Sequence, residues 1–564
     1  VSAVPDTPAP PGLARWLPWL AQYRGPDARA DLLAGSTLAA YAVPSSIAYA
    51  QLAGMPVQTG LYCYLFAGVA YAVLGRCRQL AVGPTSSIAL VLATTLGAFA
   101  TGDPLRYAQL ATATAFLVAL VALFAFAMRW GSVVHFISET VLTGFKIGAG
   151  LVIAVSQLPL LLGLAPQHGN FLRTLHHIAT NLSGVHGATL AVGLAAYALL
   201  QFGQSVRPRW PIPLLVVACA IAAMSWPGMD RHTIATVGAI PGGLPAFALP
   251  AFDWRELDTL LPLALACFLI GFNEHIAAAR LLALRHRYPL DANRELLGLA
   301  GSNAALSFGQ GLPSGGGLSQ SLVNDQAGAR SPLALVVCSV WMVVVLLYLT
   351  GLFERLPQPL LAALVLVSVQ GMFRIDELRQ LRRVSMQEFL IAMVTIAAVV
   401  ALGILKGVLV AAFFSLAMLI RRLAQPECVV LGRLPGADHF VSMIRHPDAQ
   451  LTPGVLVFRA NAALLYFNAD TVRHHLQRLL ARGDGRPHRV VLDLAFTTEI
   501  DLSTTRMLAD TAVELKSEGI EFRLAEAHYR VRDLLRGERL EGAMGPLDRS
   551  YGIAELVALP VHPG

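Results

Sequence analysis

Charge is scarce in this chain: 14% of its 564 residues are charged and 55% are hydrophobic. A soluble enzyme of similar length carries about 25% charged residues, and the deficit persists from residue 31 to residue 422. Cysteine is sparse too. Cys63, Cys77, Cys219, Cys267, Cys338 and Cys428 are dispersed without metal-binding or redox spacing, so they read as packing residues rather than ligands. No nucleophile–base set or metal cluster stands out, and Gly315-Gly316-Gly317 lacks the lysine of a phosphate-binding loop. Enzyme chemistry, a cofactor and a metal site are therefore not expected. Residues 1–30 are Pro-rich and then mildly amphipathic, with no apolar core followed by a cleavage site, and do not read as a signal peptide.

What the chain does have is a succession of apolar runs. Segments such as 112–128, 333–353 and 389–405 approach or reach the roughly 20 residues that cross a bilayer. One such run could be a buried core helix; their repetition makes membrane spans the expected reading. Fourteen are placed at 31–50, 56–75, 82–99, 107–128, 133–162, 186–203, 210–227, 257–280, 291–308, 317–328, 332–352, 357–372, 386–404 and 407–420. With the N-terminus inside, Arg24, Arg29, Arg76, Arg78, Arg129 and Arg207 gather at inner span ends, as do Arg280, Arg285, Arg287, Arg330, Arg374, Arg421 and Arg422. Basic residues favour the inner side. Residues 1–30 and the C-terminal tail are thus expected in the cytoplasm, and 31–422 in the inner (plasma) membrane against lipid. The net charge of +7 is a topology signal on this reading, and no nucleic-acid partner is expected.

Composition changes after Arg421-Arg422. Residues 455–469 read as strand, turn, strand, and 470–483 as an amphipathic helix. A buried strand follows at 489–496, then a helix from about Thr504 to Ser517 and a strand at 520–527. Strands alternating with helices indicate a small α/β domain over 429–560.

Two distant segments break the apolar pattern in the same way: 79–92 (QLAVGPTSSIALVL) and 309–326 (GQGLPSGGGLSQSLVNDQ). Each places Gly and Pro before Ser or Thr at the expected start of a short helix. Paired interruptions in the two halves of a membrane protein point to a transporter's binding site. A helix start exposes unpaired N–H groups and the positive end of its dipole, so the natural guest is an anion. The third and tenth spans run in opposite directions, which lets their N-termini meet near the midplane. Thr85 and Ser86, with Ser87, stand at the first start; Gly315, Gly316 and Gly317, with the hydroxyls of Ser319 and Ser321, stand at the second. Glu274, an ionisable residue inside the eighth span, is a functional candidate by default, with His275 or Arg280 as alternative local partners.

The segments 31–62, 138–163 and 289–334 resemble the SulP (sulfate permease, or sulfate/anion exchanger) family, and residues 430–440 and 491–508 resemble its STAS domain. The resemblance implies two inverted seven-helix repeats divided into core and gate domains, a cytoplasmic STAS domain, and a homodimer. It implies anion contacts from Thr85, Ser86, Gly317 and Ser319, and coupling through Glu274. Ser45 stands where the family commonly has Gln, beside Pro44, and Tyr41 and Tyr49 lie on nearby turns. Gln320 replaces a common Arg, which leaves anion attraction to backbone dipoles and hydroxyls and leaves room for a co-transported cation. Sodium-coupled bicarbonate members place a hydroxyl residue one turn after an Asp; here that position is Ala278, which favours a proton. Asp501-Leu502-Ser503-Thr504 departs from the phosphorylated Asp-Ser-Ser/Thr-Gly loop at two positions, which favours a structural or dimer-contact role. The expected function is secondary active transport of a small inorganic anion, sulfate by proton symport. Bicarbonate or C4-dicarboxylate transport, an uncoupled anion channel or exchanger, and a STAS-based membrane sensor remain alternatives.

Overall fold

The computed structural model describes residues 19–20, 23–97, 103–131, 139–165, 171–207, 210–225, 234–482, 485–545, 547 and 552–560. The chain divides into two compact units, Val1–Ser415 and Leu416–Gly564.

The first unit is helical. Its helices are α1 (Gly25–Leu52), α2 (Gln58–Leu74), α3 (Ser86–Leu96), α4 (Pro104–Ala127), α5 (Glu139–Leu162), α6 (Phe171–Thr180), α7 (Gly187–Val206) and α8 (Ile212–Ser225). After a long connection come α9 (Leu257–His286), α10 (Ala292–Phe308), the short α11 (Leu318–Gln326) and α12 (Leu333–Val344). A π-helical turn carries α12 into α13 (Thr350–Phe353), followed by α14 (Gln358–Val369), α15 (Ile375–Val384) and α16 (Met386–Leu402); α17 (Ile404–Ala424) contains the boundary between the units. A helix lies at each of the fourteen expected positions; by length and composition alone, six apolar helices are long enough to cross a membrane. Leu120, Leu123 and Phe124 on α4, Val340 and Trp341 on α12, and Leu390 and Val394 on α16 face outward. Large apolar residues on the outside suit lipid, which satisfies no backbone group and so selects helices.

Packing repeats across the two halves. Helix α1 packs on α11 as α9 packs on α3, and α12 packs on α1 and α2 as α4 packs on α9 and α10. Helices α5 and α14 pack on each other and take α16 and α7 respectively. Such reciprocity is what an inverted repeat produces. It separates a body of α1–α4 and α9–α12 from a second group containing α5, α7, α14 and α16. Small residues allow the close approaches: a Cβ on Gly144 would lie 2.6 Å from the Ala392 carbonyl oxygen of α16, and one on Gly60 would lie 2.0 Å from that of Ser46 in α1.

Between α2 and α3 lies β1 (Val82–Gly83), and between α10 and α11 lies β2 (Gly315–Gly316). They pair antiparallel, Val82 with Gly316 and Gly83 with Gly315. Glycine is required here by space. A Cβ on Gly83 would meet the Tyr64 ring at 2.5 Å, and one on Gly315 would meet the Gly271 carbonyl oxygen of α9 at 3.1 Å.

The second unit holds a five-stranded sheet of order β4-β3-β5-β6-β7, with β3 (Cys428–Arg433), β4 (Phe440–Ser442), β5 (Val455–Ala460), β6 (Arg489–Asp493) and β7 (Glu521–Ala525). Strands β5, β6 and β7 are parallel, and β3 runs antiparallel to both neighbours. The parallel strands are joined through α18 (Ala469–Arg482) and α19 (Leu502–Ser517). The remaining helices are α20 (Tyr529–Gly537), α21 (Glu541–Met544) and α22 (Ile553–Ala558). Alternation sets the two faces: Leu456, Phe458, Val490 and Leu492 enter one core, while Val455, Val457 and Val491 pack with Ile553 and Leu556 of α22. The second strand expected within 455–469 does not form. Residues 461–468 are a loop with a single bridge, Leu464 to Ile500, because Asn468 folds back on it, accepting from the Leu465 N–H and donating to the Ala463 carbonyl.

Candidate functional site

The β1–β2 ladder brings the two chain breaks together, with α3 starting just after β1 and α11 just after β2. Pro84 precedes the start of α3, and Thr85 is its N-cap in extended conformation, its hydroxyl accepting from the Ile88 N–H at 3.5 Å. Helix α11 starts after Gly317, whose backbone is extended and which offers no capping side chain. The first N–H groups of that helix therefore have no side-chain cap, and the dipole gives both starts partial positive charge.

Three side chains of α11 brace this arrangement. Gln320 Nε2 donates to the Pro84 carbonyl at 2.7 Å, and Asn324 Nδ2 donates to the Gln79 carbonyl at 2.9 Å. Ser321 Oγ accepts from the Ala81 N–H at 2.9 Å and donates to the Gly317 carbonyl at 2.7 Å. The Gln320 amide is thus committed to holding the α3 entry, and its buried Oε1 has no partner among the described residues. Ser45 is buried, and its hydroxyl donates to the Tyr41 carbonyl of its own helix at 2.9 Å. Ser86 is half-buried and Ser319 exposed, and neither hydroxyl has a partner among the described residues. Of the residues singled out from sequence, the hydroxyls of Ser86 and Ser319 and the backbone at Gly317 remain open to a guest. The hydroxyls of Ser45 and Thr85 and the amide nitrogen of Gln320 are tied into the frame.

Glu274 lies mid-helix on α9 and is half-buried. Ser87, in the first turn of α3, donates its hydroxyl to Glu274 Oε1 at 2.7 Å, so the carboxyl sits directly beside one helix start. The neighbouring His275 is turned elsewhere. Its Nε2 meets Glu295 Oε2 at 2.8 Å, both side chains fully buried. Glu295 also accepts from Tyr71 Oη at 2.7 Å and from the backbone N–H groups of Arg76 and Cys77, each at 3.0 Å. His275 therefore serves this α10 hub and is no partner of Glu274. Asp325 is likewise structural, bound by Arg285 Nη1 at 2.7 Å and His286 Nε2 at 2.5 Å at the end of α9.

Sequence reasoning passed over Ser87 as a Glu274 partner, the Glu295 hub, and Lys146 of α5. Lys146 is half-buried and within Coulombic range of Glu274. A lysine inside an apolar run was the available signal. Among the described residues no group of His, Cys, Asp or Glu could hold a metal ion.

In the second unit Asp501 caps α19, accepting from the N–H groups of Thr504 at 2.8 Å and Tyr466 at 2.7 Å. Burial pushes its carboxyl up, and the hydrogen bonds from Thr504 and Tyr466 outweigh this and hold it below the usual carboxylate range. Ser503 is exposed, whereas Thr504 is buried with its hydroxyl on the Leu464 carbonyl at 2.9 Å. Asp493 is buried and paired with Arg459 at 2.5 Å.

Comparison with known proteins agrees with these features. Residues 29–395 match the sulfate permease family, and residues 446–550 match the STAS domain. The chain is 33% identical over 535 residues to the probable sulfate transporter Rv1739c of Mycobacterium tuberculosis, covering 94% of this chain and 96% of that protein. It is 30% identical to the chloroplastic sulfate transporter 4.1 of Arabidopsis thaliana, covering 91% and 77%. The inward-facing structure of the murine anion transporter Slc26a9 superposes with a TM-score of 0.86 at 24% identity, covering 93% and 90%. The transmembrane domain of the cyanobacterial bicarbonate transporter BicA gives 0.61 at 24% identity, covering 69% and 98%; at these identities the likeness bears on the fold. These relatives are transporters and not enzymes. The chain belongs to the sulfate permease family, with a transporter-fold helical unit followed by a STAS domain.

Proposed function

We propose that this protein is a secondary active transporter of a small inorganic anion, with sulfate as the first substrate and a proton as the coupled ion. The observation that carries the reading is the meeting of two helix starts through β1 and β2, with the free Ser86 and Ser319 hydroxyls and the Glu274 carboxyl beside them. The helix starts supply N–H donors and positive partial charge, the hydroxyls supply directed hydrogen bonds, and a carboxyl can take up a proton as a negative guest enters. Relatives named as sulfate transporters support sulfate as the substrate. Ala278, one turn beyond Glu274 and fully buried, offers no side-chain oxygen to a sodium ion. On this reading the protein is a homodimer in the cell membrane, with the N-terminus and STAS domain in the cytoplasm, as the arginine distribution indicates.

The test is uptake of labelled sulfate, bicarbonate and fumarate into proteoliposomes, with a proton gradient, a sodium gradient or neither. Sulfate accumulation driven by the proton gradient is expected, and Glu274→Gln should lose that accumulation. Full accumulation by Glu274→Gln would overturn the coupling assignment. Sodium-driven uptake, or transport of bicarbonate or fumarate alone, would replace the proton or sulfate respectively.

A further inference from the structure

Helices α1, α3, α9 and α11 frame the anion site, yet from Ala30 to Leu52, Ser86 to Leu96, Leu257 to Ala279 and Leu318 to Gln326 they contain no lysine or arginine. The acidic side chain they bring to the site is that of Glu274, beside the start of α3. Two helix starts carry about half a positive charge each. That is too little to offset both a carboxylate and a doubly charged oxyanion in a poorly hydrated interior. A full positive charge is needed from another element.

Lys146 meets the requirement. The chain contains three lysines among its 42 basic residues, Lys146, Lys406 and Lys516, and Lys146 alone lies within α1–α16. It stands about two turns into α5. Gly144 and Gly148 of α5 face α16, where a Cβ on either would meet Ala392 or Val399. At about 100° per residue, Lys146 lies on nearly the opposite side of the helix. Helix α5 contacts α3, and Lys146 lies within Coulombic range of Glu274. It has no hydrogen bond or ion pair among the described residues. An ionisable group inside a span is costly and marks a substrate or ion pathway.

We infer that Lys146 is the fixed positive charge of the anion site, holding the bound anion from the α5 side and offsetting Glu274 when the site is empty. The inference rests on the transport role proposed above and adds its charge balance. In the empty site the Lys146 ammonium and the Glu274 carboxylate offset each other. On loading, a proton from the aqueous side neutralises the Glu274 carboxylate, and the anion replaces it as the counter-charge of Lys146. An anion without the proton would leave two negative groups to share one cation, which links proton entry to anion entry. Helix α5 belongs to the group packed against α14 and α16, so the anion is held between the two groups of helices.

The experiment compares wild type, Lys146→Gln, Lys146→Arg and Glu274→Gln as full-length purified protein. Each is assayed for the half-saturating sulfate concentration in proteoliposomes and for sulfate-induced thermal stabilisation in detergent. Lys146→Gln should raise the half-saturating concentration roughly tenfold or more, the value of a hydrogen bond to a charged group. It should also lose the stabilisation by sulfate, read as the shift in unfolding temperature on adding sulfate to that same variant. Lys146→Arg should recover most of the affinity, and Glu274→Gln should keep the sulfate-induced stabilisation while losing accumulation. Wild-type half-saturation in Lys146→Gln would overturn the inference, as would an arginine variant no better than the glutamine variant. If the wild type took up no anion yet was still stabilised by sulfate, the transport reading would fail, and the stabilisation of Lys146→Gln would still decide the role of Lys146.

Discussion

The Ser87 hydroxyl donates to Glu274 Oε1 at 2.7 Å, tying the first turn of α3 to the middle of α9. Through this bond the proposed coupling carboxyl and one of the two helix starts that face the anion become a single unit. Ser87→Ala should slow proton-driven sulfate uptake about tenfold, the value of one hydrogen bond to a charged group. Ser87→Thr, which keeps the hydroxyl, should stay near wild type. Initial uptake rates at matched protein content check this, and an unimpaired alanine variant would show that Glu274 needs no such support.

Gly83 is set by its neighbour's ring. A Cβ there would lie 2.5 Å from Tyr64, so Gly83→Ala should destabilise the protein by about 1–3 kcal/mol through overpacking and displace the α3 start. Tyr64→Leu, which removes the obstructing ring, should restore part of the stability in the double variant. Chemical denaturation of the four proteins in one detergent measures the coupling.

The Glu295 hub predicts a different outcome from the anion site. Glu295→Gln presents an amide NH2 where the carboxylate accepted from Tyr71, His275 and two backbone N–H groups. Breaking a buried charged network costs about 3–5 kcal/mol. Thermal unfolding should move down sharply, whereas Ser319→Ala, at an exposed hydroxyl without a partner among the described residues, should leave unfolding unchanged and weaken sulfate uptake.

In the second unit the cap at Asp501 carries a pH dependence. Its folded-state carboxyl titrates below the ordinary value, so the ionised form is the one bound by Thr504 and Tyr466. The stabilisation is present above the unfolded pKa of about 3.9 and is lost as pH falls through the lower folded-state value. Asp501→Ala should cost about 1 kcal/mol at neutral pH and flatten the acid limb of the unfolding curve. A calorimetric pH series on wild type and variant checks both.

Much of this architecture is legible in the sequence because membrane burial imposes long apolar runs, and because Gly and Pro interrupt two of them visibly. The pairing of those breaks is not legible: Ala81 and Ser321 are 240 residues apart, and no local pattern announces a two-residue ladder. Gln320 shows the same limit. The family resemblance places it at the anion site, whereas its amide braces Pro84, a tertiary fact. Lys146 falls inside the expected span 133–162, but its nearness to Glu274, 128 residues away, is a tertiary fact that no local pattern announces. The strand expected after Ala460 fails because β-propensity there yields to the turn that Asn468 closes.

The ladder between β1 and β2 also constrains how the protein could work. Val82 is paired with Gly316 and Gly83 with Gly315, and Gln320, Ser321 and Asn324 fasten the same seam. The two helix starts are thus tied to each other by backbone pairing and by side chains. On the transport role proposed above, the two helix starts and the guest between them form one unit, and alternating exposure would come from its displacement relative to the α5–α14 wall.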